Sequence, residues 1–390
     1  EKMAEAALKT VKPNGHNPLF GDSDDTDMRD IMSRCALVFG RSDFKYYGFD
    51  RLDFNTVWQT GYKSIEKYNN IGKIPPSFNN AFLADSGNYI LRENQTNASN
   101  YLLFHNGYTG AGHAHADKLH FDLMIKGRDV LVDAGRYTYL NNAQRRYIKS
   151  PKAHNVCLID NKQYLNVSSQ WETKNPAPAV QYPCFDNEYC TLIGGAHLGY
   201  LKSRNAFVER KIFYIKPDIY VIVDVFKAKG FHTYQQYFHF APTGKITISA
   251  NNAQFDDGIV KANMHFVTPN AKIKKENSIY SSNYNAICKN DCIKSSFFAL
   301  GNTSAITVIY GNTAKNFVPY DVSFEQIKTA RSEKMLNASK AAGVVIKTPK
   351  KEYTICLAFK ELKEPFGCNN KIGSGTISVF ENDKLIFTKW

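Results

Sequence analysis

His113-Ala114-His115-Ala116-Asp117, then Val132-Asp133-Ala134-Gly135-Arg136-Tyr137-Thr138-Tyr139, then Ala153-His154-Asn155-Val156: the reading of this 390-residue sequence turns on these three segments. Five of its ten histidines (His105, His113, His115, His120 and His154) fall between residues 105 and 155. Glycines that mark turns and short apolar runs that read as strands are interleaved with them. Side chains of an extended segment alternate between faces, so His113, His115 and Asp117 are expected on one face and the alanines on the other. Imidazole is the commonest metal ligand and titrates near neutrality, and zinc takes about four N, O or S donors. Local spacing leaves the third ligand open, either Asp117 or a residue far along the chain. It equally leaves open a hydrogen-bonded polar cluster that packs a loop and binds no metal.

Outward from this window the chain divides in two. Residues 1–73 read as helical, because 28–39 and 54–68 place apolar residues at three- and four-residue steps and Asp27 stands as an N-cap. The acidic run from Asp22 to Asp27 lacks the central glycine and final glutamate of a calcium loop and reads as an acidic cap and loop. Ile74-Pro75-Pro76-Ser77 stops helix and marks a boundary. Beyond it, strands are expected at 89–91, 121–125, 130–132, 156–159, 211–215, 219–226, 233–240, 245–248, 305–310, 343–346, 354–359 and 376–380, with turn residues between them. Antiparallel strands in this number, rich in Tyr and Phe, imply a large stacked β-sandwich. The expected organisation is a helical segment over 1–73, a sandwich over 78–309, and a small C-terminal β-sheet region over 310–390.

Composition narrows the partner. Lys plus Arg number 49 against 36 Asp plus Glu, a net charge of +13 with pI near 9.1, which raises the local concentration of polyanions. An acidic polysaccharide fits this excess. Nucleic acid is not expected, since no helix-turn-helix, paired-Cys zinc finger or RNP-like aromatic motif is present. No apolar run reaches the roughly 18 residues of a transmembrane helix. Eight cysteines lack a C-x-x-C pair and read as mostly buried free thiols. Cys184 with Cys190 and Cys288 with Cys292 are near enough in sequence to bridge in an oxidising compartment.

Several separated motifs resemble those of the heparinase II/III-like polysaccharide lyases. These are G-x-G-H-A-H-A-D ending at Asp117, L-V-D-A-G-x-Y-x-Y ending at Tyr139, the basic Arg145-Arg146-Tyr147, and A-H-N-V at 153–156. Upstream, Pro18-Leu19-Phe20-Gly21-Asp22-Ser23-Asp24-Asp25, and downstream, Tyr237-Phe238-His239-Phe240, fit the same family in the same order. The resemblance implies that His113 lies in the active cleft and that His115, Asp133 and His154 hold a structural divalent metal, zinc by preference. Asp117 then becomes a candidate for orienting one of the imidazoles.

The chemistry so implied is β-elimination at a hexuronic acid, in heparan sulfate or heparin, with alginate or another polyuronate as the alternative. A further alternative is a non-catalytic relative that only binds acidic polysaccharide. Elimination requires a base for the C5 proton, a partner for the sugar carboxylate, and an acid for the leaving oxygen. His113 suits the base, Tyr139 the proton donor or base, and Arg145, Arg146 and Asn155 the sugar carboxylate or sulfates. Tyr137, two residues from Tyr139, shares its face if the segment is a strand.

Family members open with a large (α/α) toroid, of which the 112 residues before His113 hold only the last helices. The chain is therefore expected to be either a truncated piece, with residues essential to catalysis upstream, or a divergent short form. The implied location is periplasmic or secreted, although no signal peptide is visible at Glu1.

Overall fold

The computed structural model of the chain describes residues 1–110, 112–169, 171–174 and 176–389, so Ala111 of the G-x-G motif lies outside the described residues. The architecture follows from one strand. Ile219–Lys227 reads IYVIVDVFK, with apolar residues at both parities, a pattern a strand carries when both of its faces are covered. Tyr220, Ile222 and Phe226 enter one core with Leu102, Phe121 and Phe238. Ile219, Val221, Val223 and Val225 enter a second with Val344, Ile355 and Val379.

Ile219–Lys227 lies between Phe207–Ile215 and Thr303–Thr313 inside a nine-stranded antiparallel sheet. One face of that sheet packs on two smaller sheets. The first runs Ala81–Leu83, Asn88–Arg92, Tyr101–His105, His120–Ile125 and Arg128–Leu131; the second joins Lys272–Tyr280, Cys288–Leu300, Phe231–His239 and Cys157–Ile159. The other face packs on a terminal sheet of Asp321–Glu325, Ala341–Lys347, Glu352–Ala358, Ile377–Glu381 and Lys384–Lys389. The fold is thus the expected mainly β, antiparallel super-sandwich. Every segment assigned to a strand from the sequence lies within or overlaps one. The proposed division at 310 needs correcting, because position 310 lies inside Thr303–Thr313 of the central sheet and the terminal sheet starts at Asp321.

The N-terminal segment consists of Lys2–Thr10, Arg29–Phe39, Ser42–Tyr47, Phe54–Thr60 and Ser64–Asn69, packed around Met32, Ala36, Phe44 and Tyr68. A single helix over 54–68 does not form: Gly61 takes φ +83° and ends the first piece at Thr60. Asp27 precedes the capping position, Met28, yet its carboxylate still accepts from the Arg29 N–H at 3.0 Å. Arg92 anchors the helices to the sandwich by donating to Tyr47 Oη at 2.6 Å and to the Val11 carbonyl at 2.7 Å. No helix of the described residues is long and apolar enough to cross a membrane.

Three histidines are sealed into this sandwich. Burial holds His105 down at about 4 and His197 and His239 at about 3. These imidazoles are neutral when folded and take up protons near pH 6.5 when unfolded, so their contribution is complete above that pH and is lost as pH falls below it. Denaturant titrations between pH 7 and 5 are expected to show stability falling by about 1 kcal/mol per pH unit for each such histidine, the slope steepening below pH 6.5. A flat profile over that range would contradict their buried, neutral state.

Candidate active site and metal centre

The H-x-H segment lies in a loop, with the next strand starting at His120. Its expected common face holds only for the two histidines. His113 Nδ1 lies 2.9 Å from Asp22 Oδ2, and His115 Nε2 lies 2.8 Å from Asp22 Oδ1. Asp117 turns away toward His105, with 3.8 Å between its Oδ1 and the ring Nε2. Arg145 completes the surroundings of Asp22 with a two-pronged contact, Nη1 to Oδ1 at 2.5 Å and Nη2 to Oδ2 at 2.8 Å. Burial alone would raise the Asp22 carboxyl, but hydrogen bonds from His115 and Arg145 hold it well below the usual carboxylate range.

Behind His115 the structure gathers Asp133 and His154. Ligand atoms of these three buried residues lie within 4.8 Å of one another. The donor set suits zinc or another divalent ion. A second observation fits the same reading: among the described residues His115 Nδ1 and His154 Nε2 are buried with no hydrogen-bond partner, although their other ring nitrogens are bonded to Asp22 and to Asp133 Oδ2 (2.9 Å). Unpartnered buried nitrogens are costly unless something occupies them. Burial lowers His115 from its ordinary value, favouring the neutral, ligating form. Burial would raise Asp133, but His154, which also hydrogen-bonds it, and His120 outweigh burial and keep the carboxylate ionised. Gly135 of the V-D-A-G motif has φ +74° and lies against the Ser281 carbonyl, where no Cβ fits. Its N–H donates to Asp133 Oδ1 at 2.8 Å. Asp22, rather than Asp117, is the carboxylate that orients His115.

In front of His115 the surface opens into a cleft of about 510 Å³ lined by Phe20, Asp22, His105, Tyr108, His113 and Asp117. The His113 side chain is 68% exposed, while that of His115 is 0% exposed. Tyr139 Oη lies 3.4 Å from His113 Nδ1. The Tyr139 ring stacks on Trp171 at 4.8 Å, under the guanidinium of Arg136 at 5.1 Å, and Trp171 meets the His113 ring edge-on at 5.5 Å. Residues 132–139 are irregular, the strand before them ending at Leu131, and Tyr137 takes φ +60°. Tyr137 therefore does not share the Tyr139 face and packs beside Ala134, Ile148 and Ala153.

Two of the expected substrate contacts are corrected by burial. Arg145, on the helix Ala143–Ile148, is fully buried and faces Asp22. Asn155 is also fully buried, its amide donating to the Phe121 and Val132 carbonyls at 2.7 and 3.3 Å and accepting from the His239 N–H at 2.6 Å. Both hold the site's frame and are not on its open wall. Arg146 is exposed and donates to Asn141. Below them Arg210, paired with Asp224 at 2.6 and 2.8 Å, donates to the carbonyls of Leu119 and Asn155 at 2.7 and 2.5 Å. Asp22 and Trp171 escaped the sequence reading of the site. Asp22 lay within a noted motif but looked like one more acid of an acidic run, and no pattern around Trp171 distinguished it.

The fold is shared with glycosaminoglycan-degrading enzymes. The crystal structure of heparan sulfate lyase HepC from Pedobacter heparinus superposes with a TM-score of 0.74 and 16% identity, covering 93% of this chain and 53% of that one. A crystal structure of heparinase III superposes with a TM-score of 0.71 and 14% identity, covering 92% and 54%. The family model described as "Heparinase II/III-like, C-terminal" matches residues 75–309, more than half of the chain, and the chain belongs to this family. A heparin-sulfate lyase of Pedobacter heparinus is 26% identical over 200 residues, 48% of this chain and 28% of that protein. Another, of Bacteroides stercoris, is 21% identical over 296 residues, 73% and 40%. The chain spans about half the length of these solved structures and less than half of these curated relatives.

The arrangement around Asp22 makes a sharp contrast between neighbouring arginines. Asp22→Asn leaves Arg145 buried without its anion and is expected to cost about 3–5 kcal/mol, the scale for breaking a buried ion pair. Arg146→Ala is expected to stay within about 0.5 kcal/mol, as at ordinary surface positions. Chemical denaturation of the two variants checks this, and comparable losses would refute the assignment.

Proposed function

We propose that the protein is a polysaccharide lyase acting by β-elimination on a uronate-containing acidic polysaccharide of the heparan sulfate type, with His113 and Tyr139 at the reacting centre. The observation that carries this reading is an exposed imidazole held by a buried carboxylate, 3.4 Å from a phenol, on the rim of a cleft. A carboxylate only accepts hydrogen bonds, so Asp22 fixes the proton on His113 Nδ1 and leaves the Nε2 lone pair free. That nitrogen takes the proton from C5 of the uronate. The C5 electron pair forms the C4–C5 double bond as the bond to the C4 glycosidic oxygen breaks, and Tyr139 Oη gives that oxygen its proton. Trp171, beside Tyr139, offers an aromatic face against which a sugar ring can lie.

We assign His115, Asp133 and His154 to a structural divalent ion, zinc by preference, which when bound ties the three loops together. The chemistry itself remains with His113 and Tyr139. A polyanionic substrate also suits the +13 charge, and a substrate outside the cell suits a periplasmic or secreted location.

Elemental analysis of purified protein is expected to find about one divalent ion per chain, and a chelator is expected to lower the melting temperature, since a ligand that binds only the folded state stabilises it. Stoichiometric absence of metal with an unchanged melting temperature would remove this part of the reading.

For the reaction, the protein in its full encoded length is assayed by absorbance near 230 nm, where the unsaturated product absorbs, against heparan sulfate, heparin and alginate. His113→Ala is expected to reduce turnover by at least about a hundredfold with little loss of stability, the usual scale for a lost general acid or base. Tyr139→Phe is expected to do the same without removing the ring. Near-normal turnover in His113→Ala would overturn the assignment.

A further inference from the structure

Outside the cleft, the terminal sheet and the small sheet beside it bring together a second cluster of reactive groups. Cys356, on Glu352–Ala358, and Cys368, on Phe366–Cys368, face each other with their sulfurs 3.6 Å apart. Both are buried, in a small core with Ile327, Leu336, Phe366 and Phe380. The two pairs suggested by sequence proximity do not form this way. Cys288 and Cys292 lie four residues apart on one extended strand, Cys288–Leu300, about 13 Å along its axis at the usual rise. Cys190 and Cys184 pack against different cores.

We propose that Cys356 and Cys368 are a redox pair that closes to a disulfide when the protein meets an oxidising disulfide, cross-linking the terminal five-stranded sheet to the small sheet of Lys328–Thr329, Phe366–Cys368 and Lys371–Gly373. Two features beyond proximity support this. First, Gly343 stands directly opposite Cys356 in the neighbouring strand, and a Cβ there would lie 2.6 Å from the Cys368 sulfur. Only a residue without a side chain lets the two thiols share this space. Second, Cys368 borders a surface groove of about 470 Å³ with Met335, Gly367 and Asn369, whereas Cys356 is 0% exposed. Cys368 is thus the nearer of the two to solvent, with Cys356 enclosed behind it.

One of the two thiols loses its proton and attacks the S–S bond of the oxidant, a low-molecular-weight disulfide, forming a mixed disulfide and releasing one thiol. The other, deprotonated in turn, attacks the protein sulfur of that mixed disulfide and releases the second. Two protein thiols are oxidised, one external disulfide is reduced to two thiols, and both protons pass to the released thiols. The bond closes a loop of about a dozen residues, so it restricts the unfolded chain more than it changes the folded one.

The test uses the whole chain equilibrated with oxidised glutathione, then unfolded, alkylated with a maleimide and mapped by peptide mass spectrometry. The expected map joins Cys356 to Cys368 in most molecules. The melting temperature of the oxidised protein is expected to exceed that of the reduced protein by several degrees, and this difference should vanish in Cys356→Ser and in Cys368→Ser. A map in which both residues carry the maleimide, carry only glutathione, or are joined to other cysteines overturns the proposal. The map is read on the unaltered chain, so the outcome does not depend on the variants folding.

Discussion

A single carboxylate, that of Asp22, accepts at once from the cleft imidazole, an enclosed imidazole and both terminal nitrogens of a buried guanidinium. Three stretches remote in sequence meet on it: the loop that follows the first helix, the H-x-H loop, and the helix Ala143–Ile148. A buried arginine needs an anion, and a buried anion needs several donors; neither is stable there alone. The site's shape is therefore specified jointly. The N-terminal segment belongs to the site because it supplies this group.

Beneath Asp22 a second buried ion pair provides the floor. Asp224 interrupts the apolar run of Ile219–Lys227 at a position whose neighbours on the same face, Ile222 and Phe226, are core residues. It is matched by Arg210 on the adjacent strand, its direct partner in register, and by the amide of Gln236 at 2.7 Å. The remaining reach of Arg210 goes to the carbonyls of Leu119 and Asn155, which lie just past the H-x-H segment and just after His154. A rigid central sheet thus fixes loops that have little secondary structure of their own, as a preorganised site requires.

Much of this was legible in the sequence, but Tyr101–His105 and Cys190–His197, buried at every position, were passed over along with more polar strands. Ile219–Lys227 and Ala341–Lys347, covered on both faces, are written as runs of Val, Ile and Phe and were readily found. Cys288–Leu300 was missed because Lys, Asn, Asp and Ser occupy much of a strand whose face is half solvated. At the site, the motif residues His115, Asp133 and His154 were identified by resemblance, and the structure brings them together. The roles first given to Arg145 and Asn155 failed for a physical reason: a cationic or amide side chain beside a catalytic motif looks the same in sequence whether it points to solvent or inward. Burial is set by the partner, and the partner of Arg145 lies 123 residues upstream.

The two histidines of the H-x-H motif show how that distant partner divides labour. They are two residues apart and bind opposite oxygens of one carboxylate, yet one side chain is 68% exposed and the other fully enclosed. The bond is made through Nδ1 in His113 and through Nε2 in His115, so the nitrogens left over point to different surroundings: the cleft for His113, and the closed pocket shared with Asp133 and His154 for His115. Because Asp22 is kept ionised by hydrogen bonds from His115 and Arg145, it accepts from both rings together and selects a complementary tautomer in each. A change at Asp22 thus reaches the cleft and the enclosed pocket alike, whereas a change at either histidine leaves the other bonded to its own oxygen.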